Sequence, residues 1–544
     1  MRRFLLAAAI AATTLLGTPA AMAQGSIIIV NGDAPNEGFN DPTPVAPVAG
    51  NPFTTRGGQR QFVFLFGADI WESRLQPTND IRVTARFEPL GPNVLGSAGA
   101  VTASRNFPGA EYPDTWYHAA LADRLAGTDL VPGFFDIRAL FSSDFNFYYG
   151  TDNNEPPGTV DLLPVVLHEL GHGLGFANFV TEATGSLLLG GADIYSQYTL
   201  DVTTKKNWNS MTNAERQASA INVRKVSWDG VHVNKNVPAV LHRGDPALRV
   251  VNPGGLGSFA VGLATFGPAL TATGVAAPAV LADDGVAPTG DACEPLPAGS
   301  GTGKILIVDR GLCAFALKVK NAQDAGAKGV VVVDNVQAAP PPGMAGVDPT
   351  IVIPSVRVSL NDGNTLKANL TDLRLKLFID TGILAGMDRV KRLMMVAALN
   401  PVVAGSSISH FDTAAFPNQL MEPAINADLT SSVDPPQDLT SSLMTDLGWF
   451  TDADSTPDGR DACIGSDLRP GVFIGTCNAN TNNIMLPPGG CTLSDELNWC
   501  DANTTNHDAY MQCVRSHTAN WVRDWFITST NRQSILACAA GNTD

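Results

Sequence analysis

His168, Glu169 and His172, in the stretch HELGHGLGFAN (168–178), are the residues whose types and spacing could do chemistry. Histidines four apart on a helix project from one face, about one turn from each other. Two imidazoles so placed can bind the same tetrahedral zinc ion. Glu169, one residue on, then stands beside the metal, which suits a base acting on zinc-activated water. A bare HExxH also arises by chance on core helices, with its histidines hydrogen-bonded inside. Burying two histidines and a glutamate on so apolar a helix without a purpose would be costly, and this favours the metal.

The element that must carry them reads as a buried helix in DLLPVVLHELGHGLGF, over 161–175. Asp161 can cap it and Pro164 is tolerated in its first turn. Val165, Val166, Leu167, Leu170 and Leu174 supply apolar contacts. A third ligand has to come from elsewhere in the chain. His232, His242, His410, His507 and His517 follow the helix, and Glu215, Asp193 and Asp201 compete as carboxylates. His410 has the best surroundings, a polar, Ser-rich loop followed within eleven residues by Met421 in NQLMEP. Met444 lies instead in a terminal helical pattern, with Leu443 and Leu447 on a core face. The Arg-Gly-Asp inside LHRGDP reads as an incidental loop.

HELGHGLGF, then a distant SHFDTAAFPNQLMEP, then LTSSLMTDLGWF resemble, in that order, the leishmanolysin-like branch of the metzincin zinc proteases. The resemblance implies a metzincin-like α+β catalytic domain with His168, His172 and His410 as zinc ligands and Glu169 as catalytic base. It makes Gly175 the turn out of the helix and Met421 the methionine beneath the metal. Asn178 stands where short-loop families place their third histidine. VFLFGADIWESRL and TWYHAALADRLAG would belong to the N-terminal part of that domain. Two departures stand out. The gap from His172 to His410 is 238 positions, and no cysteine precedes Cys293, so a cysteine-switch propeptide is absent.

GKILIVDRGLCAFALKVKNAQDAGAKGVVVVDN (303–335) fills part of that gap and reads strand, helix, strand. Ile305 to Val308 and Val330 to Val333 are β-rich runs. Phe315, Val319 and Ala322 recur at helical spacing, and Gly326 is placed to end that helix. TIVIPSVRVSLNDGNTL adds a strand and a turn. The stretch resembles a protease-associated (PA) domain, an α/β-type module expected near 238–385. Such modules occur in exported proteases, where they shape substrate access or contacts. On this reading a whole domain is spliced into the catalytic one, at little cost if its ends lie close together.

Bulk properties frame the rest. Arg2, Arg3, the apolar run Phe4 to Leu16 and Ala21-Met22-Ala23 read as a signal peptide over 1–23, which implies a secreted protein. No later segment has the length and apolarity of a membrane span. The formal charge of −17 argues against nucleic acid as a partner. The eight cysteines favour disulfides in an exported chain. The simplest arrangement joins Cys293 to Cys313 and leaves Cys463, Cys477, Cys491, Cys500, Cys513 and Cys538 to three bridges of open connectivity. Those six define a small, disulfide-rich helical C-terminal module, with Trp499, Tyr510, Val514, Trp521 and Trp525 available for packing. Asp452, Asp454, Asp458 and Asp461 could hold Ca2+, although a solvated acidic linker is the preferred reading.

The domain plan is a catalytic first part over 24–237, the insertion over 238–385, a second catalytic part over 386–450, and a linker with the six-Cys module over 451–544. The function expected is that of a secreted endopeptidase with one catalytic Zn2+ ion and a protein or peptide substrate. The alternative is a non-catalytic exported binding protein with a structural zinc site.

Overall fold

The computed structural model describes residues 25–425, 428–450, 460–463, 465–486 and 489–541. The stretch 1–23, expected as a signal peptide, and Asp452, Asp454 and Asp458 of the calcium expectation lie outside them.

The site rests on a four-stranded sheet in the order Ile27–Asn31, Ile81–Glu88, Ile137–Ser142, Gly96–Ala100. The first three strands are parallel, and Gly96–Ala100 runs antiparallel along the edge. IRVTARFE shows why it makes a strand: Ile81, Val83, Ala85 and Phe87 alternate inward, while Arg82, Thr84 and Arg86 alternate outward. Two helices cover one face. Arg56–Leu75 starts at Thr55, whose side chain accepts the Gly58 N–H, and ends at Gln76 in the left-handed region. It packs on the second helix, Leu162–Leu174, where Trp71 donates its indole N–H to the Leu167 carbonyl at 3.1 Å. Gly67 and Gly173 permit close approach: a Cβ on Gly67 would lie 2.9 Å from Val166, and one on Gly173 would lie 2.4 Å from Ile137.

The same core continues across the insertion. Helix Val231–Val240 contributes Val233, Val237 and Val240 to it, Leu241 follows, and residues from Met394 to Trp449 complete it. The chain therefore leaves this core after Leu241 and enters a second sheet at Arg243. The expected edge at 238 falls in the last turn of that helix, which buries its apolar face against the first core.

The second sheet has eight strands, starting with Arg243–Asn252 and ending with Arg374–Leu384, which pair antiparallel at its root. Its parallel centre comprises Val275–Leu281, Ile305–Asp309, Gly329–Val333 and Ser355–Val358. The run GVVVV shows how such a centre is buried on both sides. Val331 and Val333 enter one core with Ile305 and Ile307, while Val330 and Val332 enter the other with Leu306 and Val308. Helix Phe315–Asp324 packs on the second of these cores, ahead of Gly326 at φ 92°. After Ser355–Val358 comes a helix, Leu360–Ala368, where the sequence suggested only a turn; the Ser359 side chain caps it by accepting the Asp362 N–H at 3.1 Å. Cys293 is bonded to Cys313.

The C-terminal module joins helices Leu493–Ala502, His507–Arg523 and Ser529–Gly541 to a hairpin of Gly471–Ile474 and Cys477–Asn482. It is thus mixed rather than helical. Its bridges are Cys463–Cys491, Cys477–Cys538 and Cys500–Cys513. Tyr510, Val514 and Trp521 pack inside, but Trp499, on Leu493–Ala502, and Trp525, in the turn after His507–Arg523, are 55% and 92% exposed. No described helix is long and apolar enough to cross a membrane.

Candidate metal centre

The helix Leu162–Leu174 begins where Asp161 accepts the Leu163 N–H, at 3.0 Å. It ends at Gly175, whose φ of 135° is open to glycine and not to residues with a Cβ. That turn has a chemical consequence, since it carries the Phe176 carbonyl back to His172 Nδ1 at 2.8 Å. His168 Nδ1 meets the Leu420 carbonyl at 2.7 Å, and His410 Nδ1 meets the Ser406 carbonyl at 3.0 Å. A carbonyl only accepts, so each Nδ1 must carry the proton and each Nε2 is left with its lone pair.

Those three lone-pair atoms converge. His168 Nε2 lies 3.0 Å from His172 Nε2, and His410 Nε2 lies 3.2 Å from each of them. Lone pairs facing one another at this range repel unless a cation sits among them. Tetrahedral zinc with bonds of ~2.0–2.1 Å spaces its ligand atoms by roughly 3.3 Å, so the donor set fits that ion. Burial holds all three imidazoles neutral, lowering His168 to about 4, His172 to about 3 and His410 well below the usual range. Neutral imidazole is the form that ligates.

Glu169 is buried beside the pair. Burial pushes its carboxyl up to about 8, opposed by the Ala98 N–H that donates to it from the edge strand. The fit is close, since a Cβ on Gly96 would stand 2.7 Å from the Glu169 Cγ. Met421 is fully buried, with its sulfur 2.9 Å from where a Cβ would stand on Gly171. It therefore packs on the helix backbone between the two histidines. The Met421 carbonyl accepts the Phe411 N–H at 2.8 Å, which ties the methionine turn to the residue after His410.

The competing ligands are engaged elsewhere. Glu215 sits in an exposed capping box with Thr212 and pairs with Lys206 at 2.6 Å. Asp193 caps the short helix Ile194–Tyr198, and Asp201 accepts the N–H groups of Thr203 and Thr204. His242 packs edge-on against Phe416, and His517 pairs with Glu496. Asp461, the one described residue of the calcium expectation, is buried and accepts the Cys463 N–H at 2.8 Å.

Three contributors escape a sequence reading. His118, at the start of a helix over Ala119–Ala126, is fully buried and stacks on Phe179 with centroids 4.3 Å apart. Neither of its ring nitrogens has a hydrogen-bond partner among the described residues, and burial lowers its pKa to about 3. Asp438 accepts the Leu420 N–H at 2.6 Å, holding the residue whose carbonyl orients His168. Ser409 accepts two hydrogen bonds from Asn178. Only Asp438 has a local signal, a carboxylate two residues before the helix Thr440–Asp446.

Comparisons with known proteins bear on parts of this chain. Residues 275–366 match the family model for the PA domain, so the insertion contains one. Residues 124–196, which include His168, Glu169 and His172, match a family model described as SPBPB7E8-like. The probable lipoprotein aminopeptidase LpqL of Mycobacterium tuberculosis is 28% identical over 107 residues, 20% of this chain and 21% of that protein. The minor extracellular protease Vpr of Bacillus subtilis is 37% identical over 89 residues, 15% of this chain and 10% of that protein. A receptor homology region, transmembrane domain- and RING domain-containing protein of Oryza sativa subsp. japonica is 41% identical over 80 residues, 14% of this chain and 15% of that protein. The chain thus spans about a fifth or less of the curated relatives it matches. Among solved structures, a zinc aminopeptidase from Bacillus subtilis aligns with a TM-score of 0.21 at 20% identity, over 30% of this chain and 37% of that one. Two of the three named relatives are peptidases.

Proposed function

We propose that this protein is a secreted zinc-dependent endopeptidase with a metzincin-like, leishmanolysin-like site. The observation that carries the reading is the convergence of three Nε2 lone pairs within 3.0–3.2 Å beside a buried Glu169. His168, His172 and His410 would hold the ion. When bound, zinc supplies Lewis acidity to a carbonyl and lowers the pKa of water towards ~7.

The chain's own groups do the rest. A Glu169 carboxylate oxygen takes the proton of the attacking water and passes it to the leaving nitrogen. Its raised pKa comes from burial, and the charge of a bound dication would lower it again. The edge strand supports a peptide substrate. Ser142 N–H donates to Leu95 and Val101 N–H to Asp136, so odd-numbered residues face the inner strand. The backbone groups of Gly96 and Ala100 and the Ala98 carbonyl then point away from the sheet, beside Glu169, where an extended peptide can add as a further strand. Main-chain recognition along an open edge asks for no free terminus, which fits an endopeptidase.

The domain plan on this reading runs from a catalytic first part ending near Leu241, through an insertion over 243–384 that shapes substrate access, to a second catalytic part. Four disulfides fit an oxidising compartment. The test uses a peptide blocked at both ends. Glu169→Ala should keep bound zinc and lose hydrolysis, and His410→Ala should lose zinc. A parent protein that binds zinc but cleaves no blocked peptide or denatured protein would favour the non-catalytic binding alternative.

A further inference from the structure

We propose that Asn178 and Ser409 form a latch that sets the position of His410, so that Asn178, which is itself no ligand, is a positioning residue for the metal centre. The inference rests on the three-histidine reading above. Asn178 donates to Ser409 Oγ twice, from its backbone N–H at 3.1 Å and from Nδ2 at 3.0 Å. Both donors are held. Asn178 Oδ1 accepts the Val180 N–H at 2.7 Å, closing a turn on itself, and Nδ2 also reaches Glu182 Oε1 at 3.1 Å. The amide is fixed before it grips the serine.

The loop it grips needs holding. Ile408, two residues before His410, has φ 66°, a left-handed conformation that is an outlier for a β-branched side chain. Such a backbone persists where its surroundings over-determine it. Tyr195 donates its hydroxyl to the Ile408 carbonyl at 3.0 Å on one side, and Asn178 holds Ser409 on the other. Ser409 is 8% exposed. One short turn therefore serves two histidines, because the chain after Gly175 first offers the Phe176 carbonyl to His172 and then the Asn178 amide to the neighbour of His410. A residue that replaces a local ligand carries the distant one into place.

The experiment measures equilibrium zinc affinity of the full-length protein by competition with a chromophoric chelator, alongside the melting temperature of the zinc-free form. Ser409→Ala should weaken zinc binding by about 10- to 100-fold, the range for lost outer-shell partners. Asn178→Ala, which keeps its backbone donor, should weaken it less. Ser409→Thr, which keeps the hydroxyl, should stay near the parent. The double variant should bind zinc no more weakly than Ser409→Ala, since both changes remove one interaction. Parent-like affinity in Ser409→Ala, additive losses in the double variant, or a Ser409→Thr as weak as Ser409→Ala overturns the latch. If Ser409→Ala does not fold, Asn178→Ala decides alone, with parent-like affinity as the negative result. If His410→Ala also binds zinc like the parent, the three-histidine reading falls with it; if His410→Ala loses zinc, only the latch falls.

Discussion

Met421 rests on Gly171: its sulfur lies 2.9 Å from where a Cβ would stand on that glycine, and Trp71 closes the other side at 3.6 Å. Alanine in place of a helical glycine is ordinarily favourable by roughly 0.5–1 kcal/mol. Here Met421 and Trp71 are fully buried and have little room to give. Gly171→Ala should therefore destabilise the protein by about 1–3 kcal/mol, the range for overpacked cores. Urea denaturation measures this, and adding Met421→Ala should remove part of the overpacking penalty. Independent, additive losses would mean that the contact is not what matters.

Gly96 stands to Glu169 as Gly171 stands to Met421. A Cβ there would lie 2.7 Å from Glu169 Cγ and 2.9 Å from Oε1. Gly96→Ala should push the carboxylate aside and lower kcat, up to the ~10²–10⁴-fold that a positioned base contributes. Zinc content should not change. A variant with parent activity would show that the carboxylate has room to yield without loss.

The geometry of the helix was legible because it is local. Four-residue spacing fixes which face His168 and His172 share, and Gly175 ends the helix by its own conformation. The sheet runs Ile305–Asp309 and Gly329–Val333 were legible for the same reason, as short β-branched runs bounded by turns. What periodicity could not give is contact over distance. Asn178 meets Ser409 across 231 positions, and no pattern within either stretch announces the other. Trp499 and Trp525 failed in the opposite direction, since aromatic residues in a module too small to enclose them are left at its surface. The start of the inserted domain has no sharp local signal, and Pro238, where the edge was expected, lies inside a helix that runs on to Val240.

Asp123 gives stability a pH dependence away from the metal centre. Burial first, then the charges of Asp136 and Asp129, lift its pKa from 3.8 to about 6, against the Leu130 N–H that donates to it. The folded state thus keeps a proton that the unfolded chain releases. This group's contribution is fully favourable below the unfolded pKa of 3.8 and is lost as pH rises through about 6. Asp123→Asn retains an acceptor for Leu130 and has no such slope. Melting temperatures between about pH 4 and 7 should fall more steeply for the parent than for the variant. Parallel curves would exclude the coupling.

The bridge Cys477–Cys538 joins the hairpin to the last helix across 61 positions. A loop of that length, closed in the unfolded state, corresponds to about 4 kcal/mol of stability. Replacing both cysteines with serine should open the C-terminal module to protease at a lower temperature than the rest of the chain. Zinc content should be unaffected, because the metal centre lies in a different core. Loss of zinc in that variant would show that the module supports the site.

The PA insertion begins and ends at one place. The His242 carbonyl accepts the Ala385 N–H at 2.9 Å, and the His242 N–H donates to the Phe416 carbonyl at 2.8 Å, on the same loop as His410. With its ends adjacent, residues 243–384 can be replaced by a short Gly-Ser link, and the larger core should still fold, since its buried residues lie outside that range. The excision has one further effect. Ala339, in the insertion, exchanges two backbone hydrogen bonds of 2.9 Å with Asn400, and Ala397 in turn donates to the His410 carbonyl at 2.9 Å. The insertion thus braces the segment that returns the third histidine to the helix. Removing it should leave a folded protein whose zinc affinity is lower by about tenfold, the lower end of the range for lost outer-shell support. Circular dichroism checks the fold and chelator competition the affinity. A folded protein with parent affinity would mean that Asn178, Tyr195 and the first core hold the His410 loop unaided.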